Sequence, residues 1–357
     1  MGNSDSPEIS VVIPNWNGKK LLHICLDSLK KQTFGNFETI LVDNGSTDGS
    51  VEYVTENYPD VKIVRHSTNL GFAAGVNAGI RVAEGSIIVI FNNDAEASPE
   101  WLEVIDRKVS EHPEAGFFAC RVVLYHKRDT LDSAGVQFFS DGRFILRGHF
   151  HPDDHEYRVE KEIFGIHGTA GIYRKEALDE TGLFDEDFHS YMEESDLNIR
   201  LNLMGYRCLY IPEAVIYHIG SVTGMQASRD GTKFDKQKEE PVANQGDYGK
   251  KISDFIAFHT LRNRWFLIVK SFPPGLIIKN LPAMILLEVS QFIKWNLKER
   301  RPGVYFGAMM DFLKKLPKML KKRSGIMKSR KITDDQLLAL SEKTDFGTRL
   351  RELSGRL

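Results

Sequence analysis

The first 111 residues alternate between short apolar, β-branched runs and stretches of helical period. The runs cover residues 9–14, 37–42, 61–64 and 86–91, and each is closed by turn-forming or polar residues. Between them apolar side chains recur every three to four positions, as Leu21, Leu22, Cys25, Leu26 and Leu29 do. That rhythm describes strand–helix–strand units, whose strands lie parallel and whose crossovers are right-handed. A run with no polar alternation, such as Ile87-Ile88-Val89-Ile90-Phe91, is buried on both faces of its sheet. The expected class is α/β, with a Rossmann-like, mostly parallel central sheet.

In such a sheet ligands bind beyond the carboxyl ends of the strands. The first strand ends in Pro14, Asn15, Trp16 and Asn17, and the second in Asp43, Asn44 and Ser46. A carboxylate there can accept hydrogen bonds from a ribose or a base N–H, and an indole can cover a base or sugar face. Alternatively, Asp43 and Ser46 cap the helix that follows. The fourth strand ends in Asn92-Asn93-Asp94. A carboxylate beside amide oxygens suits a hard divalent cation, Mg²⁺ or Mn²⁺; the other reading is a helix start at residues 98–100. No Gly-rich loop with a following Lys is present, and Gly71-x-x-x-Gly75 lacks the dinucleotide spacing, which disfavours P-loop and dinucleotide chemistry.

Further along, residues 117–125 read as a strand and 136–146 as a hairpin turning at Asp141-Gly142. Residues 147–162 read as a mobile polar loop. Gly168, Thr169 and Ala170 are small enough to let a ligand approach the backbone, here on the acceptor side. Glu193, Glu194 and Asp196 open a helix. They either complement its dipole or raise one another's pKa, which would prepare a general base. His218, after a strand over residues 207–217, is either a metal ligand or a structural histidine.

Together and in this order, Val12-Ile13-Pro14-Asn15-Trp16-Asn17, Val42-Asp43-Asn44-Gly45-Ser46-Thr47-Asp48-Gly49, residues 69–77, Phe91-Asn92-Asn93-Asp94 and Glu193-Glu194-Ser195-Asp196-Leu197 resemble the family 2 glycosyltransferases, most of all their rhamnosyltransferase-like branch. The resemblance covers residues 9–224. It implies a GT-A fold and inverting transfer from a nucleotide-diphosphate sugar. By position, Asp43 would contact the base in a pocket shared with Pro14, Asn15, Trp16, Asn17, Asn44, Ser46, Asn69, Gly71 and Asn77. Asn92, Asn93 and Asp94 occupy the metal motif, with Asn92 in place of the usual first carboxylate, so the site has one charge fewer. Asp94 and His218 would bind Mg²⁺ or Mn²⁺. Glu194 would be the base, with Glu193 the alternative and Asp196 beside them. The leading donor is dTDP-rhamnose. A UDP-hexose transferase of the same fold and a catalytically silent nucleotide-sugar-binding scaffold are the alternatives.

The division expected is a catalytic domain at 1–224, an acceptor-side loop at 225–254 and a basic amphipathic helical region at 255–357. Between Lys251 and Arg330 stand 17 Lys and Arg against four acids, a local charge of +13 in a chain of net −2. Interleaved with long aliphatic runs, these charges suit an anionic membrane surface better than nucleic acid. A helical subdomain or a homodimer contact is the other reading. Three widely spaced cysteines fit a reducing compartment. Residues 1–8 show no signal-peptide core, and no unbroken run of 18 apolar residues occurs. The expected place is the cytoplasm, peripheral on the inner face of the cell membrane, with a saccharide or lipid-linked acceptor for a cell-surface polysaccharide.

Overall fold

A computed structural model of the protein describes residues 6–220 and 252–342. Of the loop expected at 225–254, residues 225–251 lie outside the described residues.

The amino-terminal half is the alternation read from the sequence: β1 (Ile9–Asn15), α1 (Lys19–Lys30), β2 (Phe37–Asn44), α2 (Ser50–Asn57), β3 (Lys62–His66), α3 (Phe72–Val82) and β4 (Ile87–Phe91). Then come β5 (Ala95–Ala97), α4 (Trp101–Glu111), β6 (Ala115–Leu124), β7 (Lys127–Ser133), β8 (Val136–Phe138), β9 (Phe144–Leu146), β10 (Lys161–Ile163), β11 (Ala170–Arg174), α5 (Lys175–Thr181), α6 (Glu193–Leu203) and β12 (Arg207–His218). The main sheet runs β10-β12-β6-β11-β4-β1-β2-β3. Its β3-β2-β1-β4 half is parallel. Strand β11 enters antiparallel between β4 and β6, and β12 pairs parallel with β6. β8 and β9 form the hairpin expected over Asp141-Gly142.

Successive residues of β1 feed opposite faces of the sheet. Val11 and Ile13 pack with Leu22 and Leu26 of α1, Val54 of α2 and Trp101 of α4. Val12 packs with Val76 and Ile80 of α3 and Leu197 and Leu201 of α6. Burial on both faces is why these strands carry no polar alternation. The three cysteines are buried and unpaired.

The carboxyl-terminal third is helical, and α7 (Asp254–Ser271) packs against elements that precede residue 220. Its Phe266, Leu267 and Ile268 join Phe138, Phe188, Ile199 and Leu203 in a third core. Its cations face inward: Lys270 reaches Asp185 at 2.6 Å and Asp196 at 2.7 Å, and Arg262 reaches Asp311 at 2.8 Å. Lys318 and Lys322 of α9 (Pro302–Ser329) likewise pair with Asp187 and Asp185. Part of the charge asymmetry is thus satisfied within the chain. Removing one member of the buried Lys270–Asp196 pair costs about 3–5 kcal/mol. A last short helix, α10 (Asp334–Ala339), follows, and its Leu337 is fully buried in the third core. Segment 147–162 is pinned: Arg147 is buried against the rings of Tyr157 and Tyr210.

Candidate active site

The carboxyl ends of β1, β2 and β4 meet at one edge, and short polar side chains tie them together. Asn15 Nδ2 lies 3.3 Å from both Asp43 Oδ1 and Ser46 Oγ, and Asn15 Oδ1 accepts from Asn93 Nδ2 at 2.7 Å. The Ser46 amide donates to Asp43 Oδ2 at 3.2 Å, and the Asn17 amide to Ser46 Oγ at 2.9 Å. Gly18 must lack a side chain, because a Cβ there would sit 2.1 Å from Asn93 Nδ2 and 2.4 Å from Asn15 Oδ1. Pro14 and Trp16 stand half-buried at the same strand end.

Other expected donor-side residues serve the frame. Asn44 donates to Asn69 Oδ1 at 3.0 Å and to the Gly71 carbonyl at 2.9 Å, and accepts from the Leu70 amide. It thereby shapes the loop into α3. Asn77 is clipped to the backbone of Phe184 and to Glu186, on the far side of α3. It thereby ties α3 to the segment that leads into α6.

At the end of β4, Asp94 is buried 3.3 Å from His218 Nε2, and His218 Nδ1 meets Asp132 Oδ2 at 2.7 Å. Burial would lower the His218 pKa, but Asp94 and Asp132 outweigh it and push it up to about 10. Asp132 and its neighbour His149 escaped the sequence reading, although a carboxylate in a largely buried strand was a usable signal. Burial would raise the Asp132 carboxyl; contacts with His149 and His218 hold it well below the usual carboxylate range. Among the described residues no three His, Cys, Asp or Glu side chains form a ready-made metal cage.

The Asn92 amide donates to the Thr169 carbonyl at 3.0 Å, which links this turn to the small-residue segment. Ala170 begins β11 opposite Phe91. A Cβ on Gly168 would lie 4.0 Å from Glu194 Cγ, so the backbone there is open beside that carboxylate. Glu194 is half-buried, whereas Glu193 is buried and its Oε2 has no hydrogen-bond partner among the described residues. Burial raises both carboxyl pKa values, and for Glu193 the adjacent Glu194 raises it further.

Asp196 does not share this position. Two residues apart on a helix, it and Glu194 point nearly oppositely. It is fully buried, bonded to Arg200 at 2.8 Å, Lys270 at 2.7 Å and Ser271 at 2.8 Å. Its carboxyl is raised by burial but held low overall by Lys270 and Arg200. The expectation of a catalytic Asp196 is corrected to a structural one.

Residues 10–182 match the sequence model of the family described as Glycosyl transferase family 2. The chain is 26% identical over 223 residues to the O-antigen biosynthesis protein RfbC of Myxococcus xanthus, covering 60% of this chain and 17% of that protein. It is 27% identical over 223 residues to the N-acetylglucosaminyl-diphospho-decaprenol L-rhamnosyltransferase of Mycobacterium tuberculosis, covering 56% of this chain and 72% of that one. The alignments span a quarter or less of the first curated relatives it matches, 24% and 17%. Among solved structures, S. aureus TarS 1-349 in complex with UDP-GlcNAc superposes with a TM-score of 0.56 at 17% identity, over 98% of this chain and 91% of that one. That likeness establishes a GT-A-type fold.

Proposed function

We propose that this chain, which belongs to the family 2 glycosyltransferases, moves a sugar from a nucleotide-diphosphate donor to a saccharide or lipid-linked saccharide with inversion at the anomeric carbon. The observation that carries the reading is a path of neighbouring groups along the strand ends. It runs from Asp43 through Asn15 to Asn93, and from Asn92 through Thr169 to Gly168 and Glu194. A nucleotide held at the first end places its sugar toward the second. Glu194 then removes the acceptor hydroxyl's proton as that oxygen attacks the face opposite the leaving diphosphate. One displacement needs one base and no protein nucleophile.

The residues at the β4 end fit a hard divalent cation. Asn92 Oδ1 is buried without a hydrogen-bond partner, Asp94 supplies the carboxylate, and His218 supplies Nε2 with Asp132 fixing its other nitrogen. So few protein ligands suit Mg²⁺ or Mn²⁺ held partly by substrate phosphates. When bound, the cation neutralises charge on the departing nucleoside diphosphate.

The rhamnosyltransferase relative supports rhamnose as the sugar and an N-acetylglucosaminyl diphospholipid as acceptor, RfbC supports a place in surface-polysaccharide synthesis, and dTDP-rhamnose is the donor proposed. A thermal-shift series with dTDP, UDP and their sugars, with and without Mn²⁺, tests this. Ligand at about 100 times its Kd adds about 2.7 kcal/mol to the folded state, a rise of several degrees in Tm. Larger metal-dependent shifts with dTDP-rhamnose than with UDP-sugars support the reading. Preference for UDP moves the donor to a hexose. No shift with any of them overturns transfer in favour of a silent scaffold.

The same proposal places the protein on the cytoplasmic face of an anionic membrane. Helix α8 (Pro274–Ile293) turns Leu276, Ala283, Met284 and Leu287 inward and leaves Ile278, Leu281, Ile285, Val289 and Phe292 in an exposed stripe. The Phe292 and Phe306 rings, 6.4 Å apart, join it to a second stripe on α9, Phe306, Met310, Leu313 and Leu320. Lys314, Lys321 and Lys328 are exposed at seven-residue intervals beside the second stripe. The helix Pro274–Lys298 is long and apolar enough to cross a bilayer, with a mean hydropathy of 1.5 in its best window. Its packed inner face, with Glu288 bonded to Tyr305 and Arg264, favours lying in the plane instead. The pair Ile285→Asn and Met310→Asn should leave the fold intact and abolish sedimentation with phosphatidylglycerol-containing vesicles. Undiminished binding would refute this placement, and a dimer that the pair converts to monomer would assign the face to self-association.

A further inference from the structure

The segment that delivers the base is held in an unfavourable shape by a helix that arrives 70 residues later. His189, Tyr191 and Met192 have φ of 65°, 68° and 68°, in the left-handed region that side chains other than glycine rarely adopt. No glycine occurs between Glu186 and Glu194 to relieve it. Such a path persists only where neighbours over-determine it.

Helix α7 supplies those neighbours. The fully buried Asn263 directs its amide nitrogen at three carbonyls of the segment, Phe188 at 2.9 Å, Ser190 at 2.9 Å and Tyr191 at 2.7 Å. Next to it, Arg262 donates to the carbonyls of Phe188 at 2.9 Å and Asp187 at 3.3 Å, and is anchored by Asp311 at 2.8 Å. The opposite side is closed by the start of α3. There a Cβ on Gly71 would sit 2.3 Å from the His189 ring, and the Ala73 amide donates to the His189 carbonyl at 3.2 Å. Among the described residues, the donor-side network of Asn15, Asp43 and Asn93 shares no hydrogen bond with this clamp.

We infer that Asn263 is a positioning residue for the transfer: by gathering three carbonyls of residues 188–191 it fixes the point from which Glu194 reaches the cleft. The role rests on Glu194 as the base. Misplacing a catalytic group by about 1 Å costs about 10²-fold in rate, and donor binding is left alone.

The test uses the full chain with Asn263→Ala, and Ser271→Ala as a control that loses a buried hydrogen bond of the same helix to Asp196. Hydrogen exchange is read at residues 188–194, and dTDP release from dTDP-rhamnose is followed with an N-acetylglucosaminyl diphospholipid as acceptor. For Asn263→Ala, exchange in the segment should quicken by about tenfold or more. Its kcat should fall by about 10²-fold, with donor KM within about twofold. Ser271→Ala should lower Tm without either effect. Should Asn263→Ala not fold, Asn263→Ser, which keeps one donor, is read in the same way with smaller changes. Unchanged exchange at 188–194, an equal rise in donor KM, or the same kcat loss in Ser271→Ala overturns the inference. Full turnover by Glu194→Gln overturns the base assignment and with it the catalytic role, while the exchange measurement still decides whether Asn263 holds the segment.

Discussion

Glu194→Gln should reduce kcat by about 10²–10⁴-fold, the range that general-base catalysis supplies, with donor KM unchanged. Of the two adjacent carboxylates Glu194 is the less buried, and it lies beside the open backbone of Gly168. Glu193 is buried with an oxygen that has no partner. Glu193→Gln should therefore retain turnover and change stability instead. Because burial raises the Glu193 pKa, the stability tied to its neutral form is complete below the ordinary carboxylate value and is lost as pH rises through the raised one. The glutamine variant avoids that loss. Its Tm should exceed the parent's at about pH 8, and the difference should shrink toward about pH 4. Scanning calorimetry across that interval, beside initial rates for both variants, decides the pair. Loss of turnover in Glu193→Gln with Glu194→Gln active would reverse the roles.

Asp94→Ala should remove the metal-dependent part of donor binding and slow transfer by about 10³-fold, equivalent to about 4 kcal/mol of transition-state stabilisation. The fold should survive. His218 keeps Asp132 at 2.7 Å on its other nitrogen, so no buried imidazolium is left without a counter-charge. Asn92 brings an oxygen but no charge, so nothing else at the β4 end replaces the carboxylate. Titration of the variant with Mn²⁺ and dTDP, read by calorimetry, is the direct measurement. A metal-dependent enthalpy equal to the parent's would remove Asp94 from the site.

The sequence displayed whatever was local. Strands β1 to β4 are continuous apolar runs, their helices have plain periodicity, and Asn15, Asp43 and Asn92-Asn93-Asp94 stand where those runs stop. Their convergence follows from parallel strands alone. Contacts between distant segments were not visible. Nothing in residues 170–174 says that β11 slips antiparallel between β4 and β6. Asp196 looked like a third member of an acid cluster because spacing along the chain hides direction around a helix. Its true partner, Lys270, is 74 residues away. Asp132 was missed for a related reason, since only the fold brings it beside His218. The basic carboxyl-terminal third was read as a surface because its counter-charges, Asp185, Asp187 and Asp196, lie in another part of the chain.

The late arrival of Lys270 and Asn263 bears on how the protein is made. Residues up to 220 contain every side chain assigned to donor, cation and acceptor proton. During synthesis, however, Asp185 and Asp196 must wait for a cation encoded 74 to 85 positions downstream, and the strained stretch before Glu193 waits for the amide of Asn263. On this reading the chain must extend past Ser271, the end of α7, before the segment ahead of Glu193 is held. A chain that ends before α7 is therefore expected to lose turnover before it loses nucleotide binding.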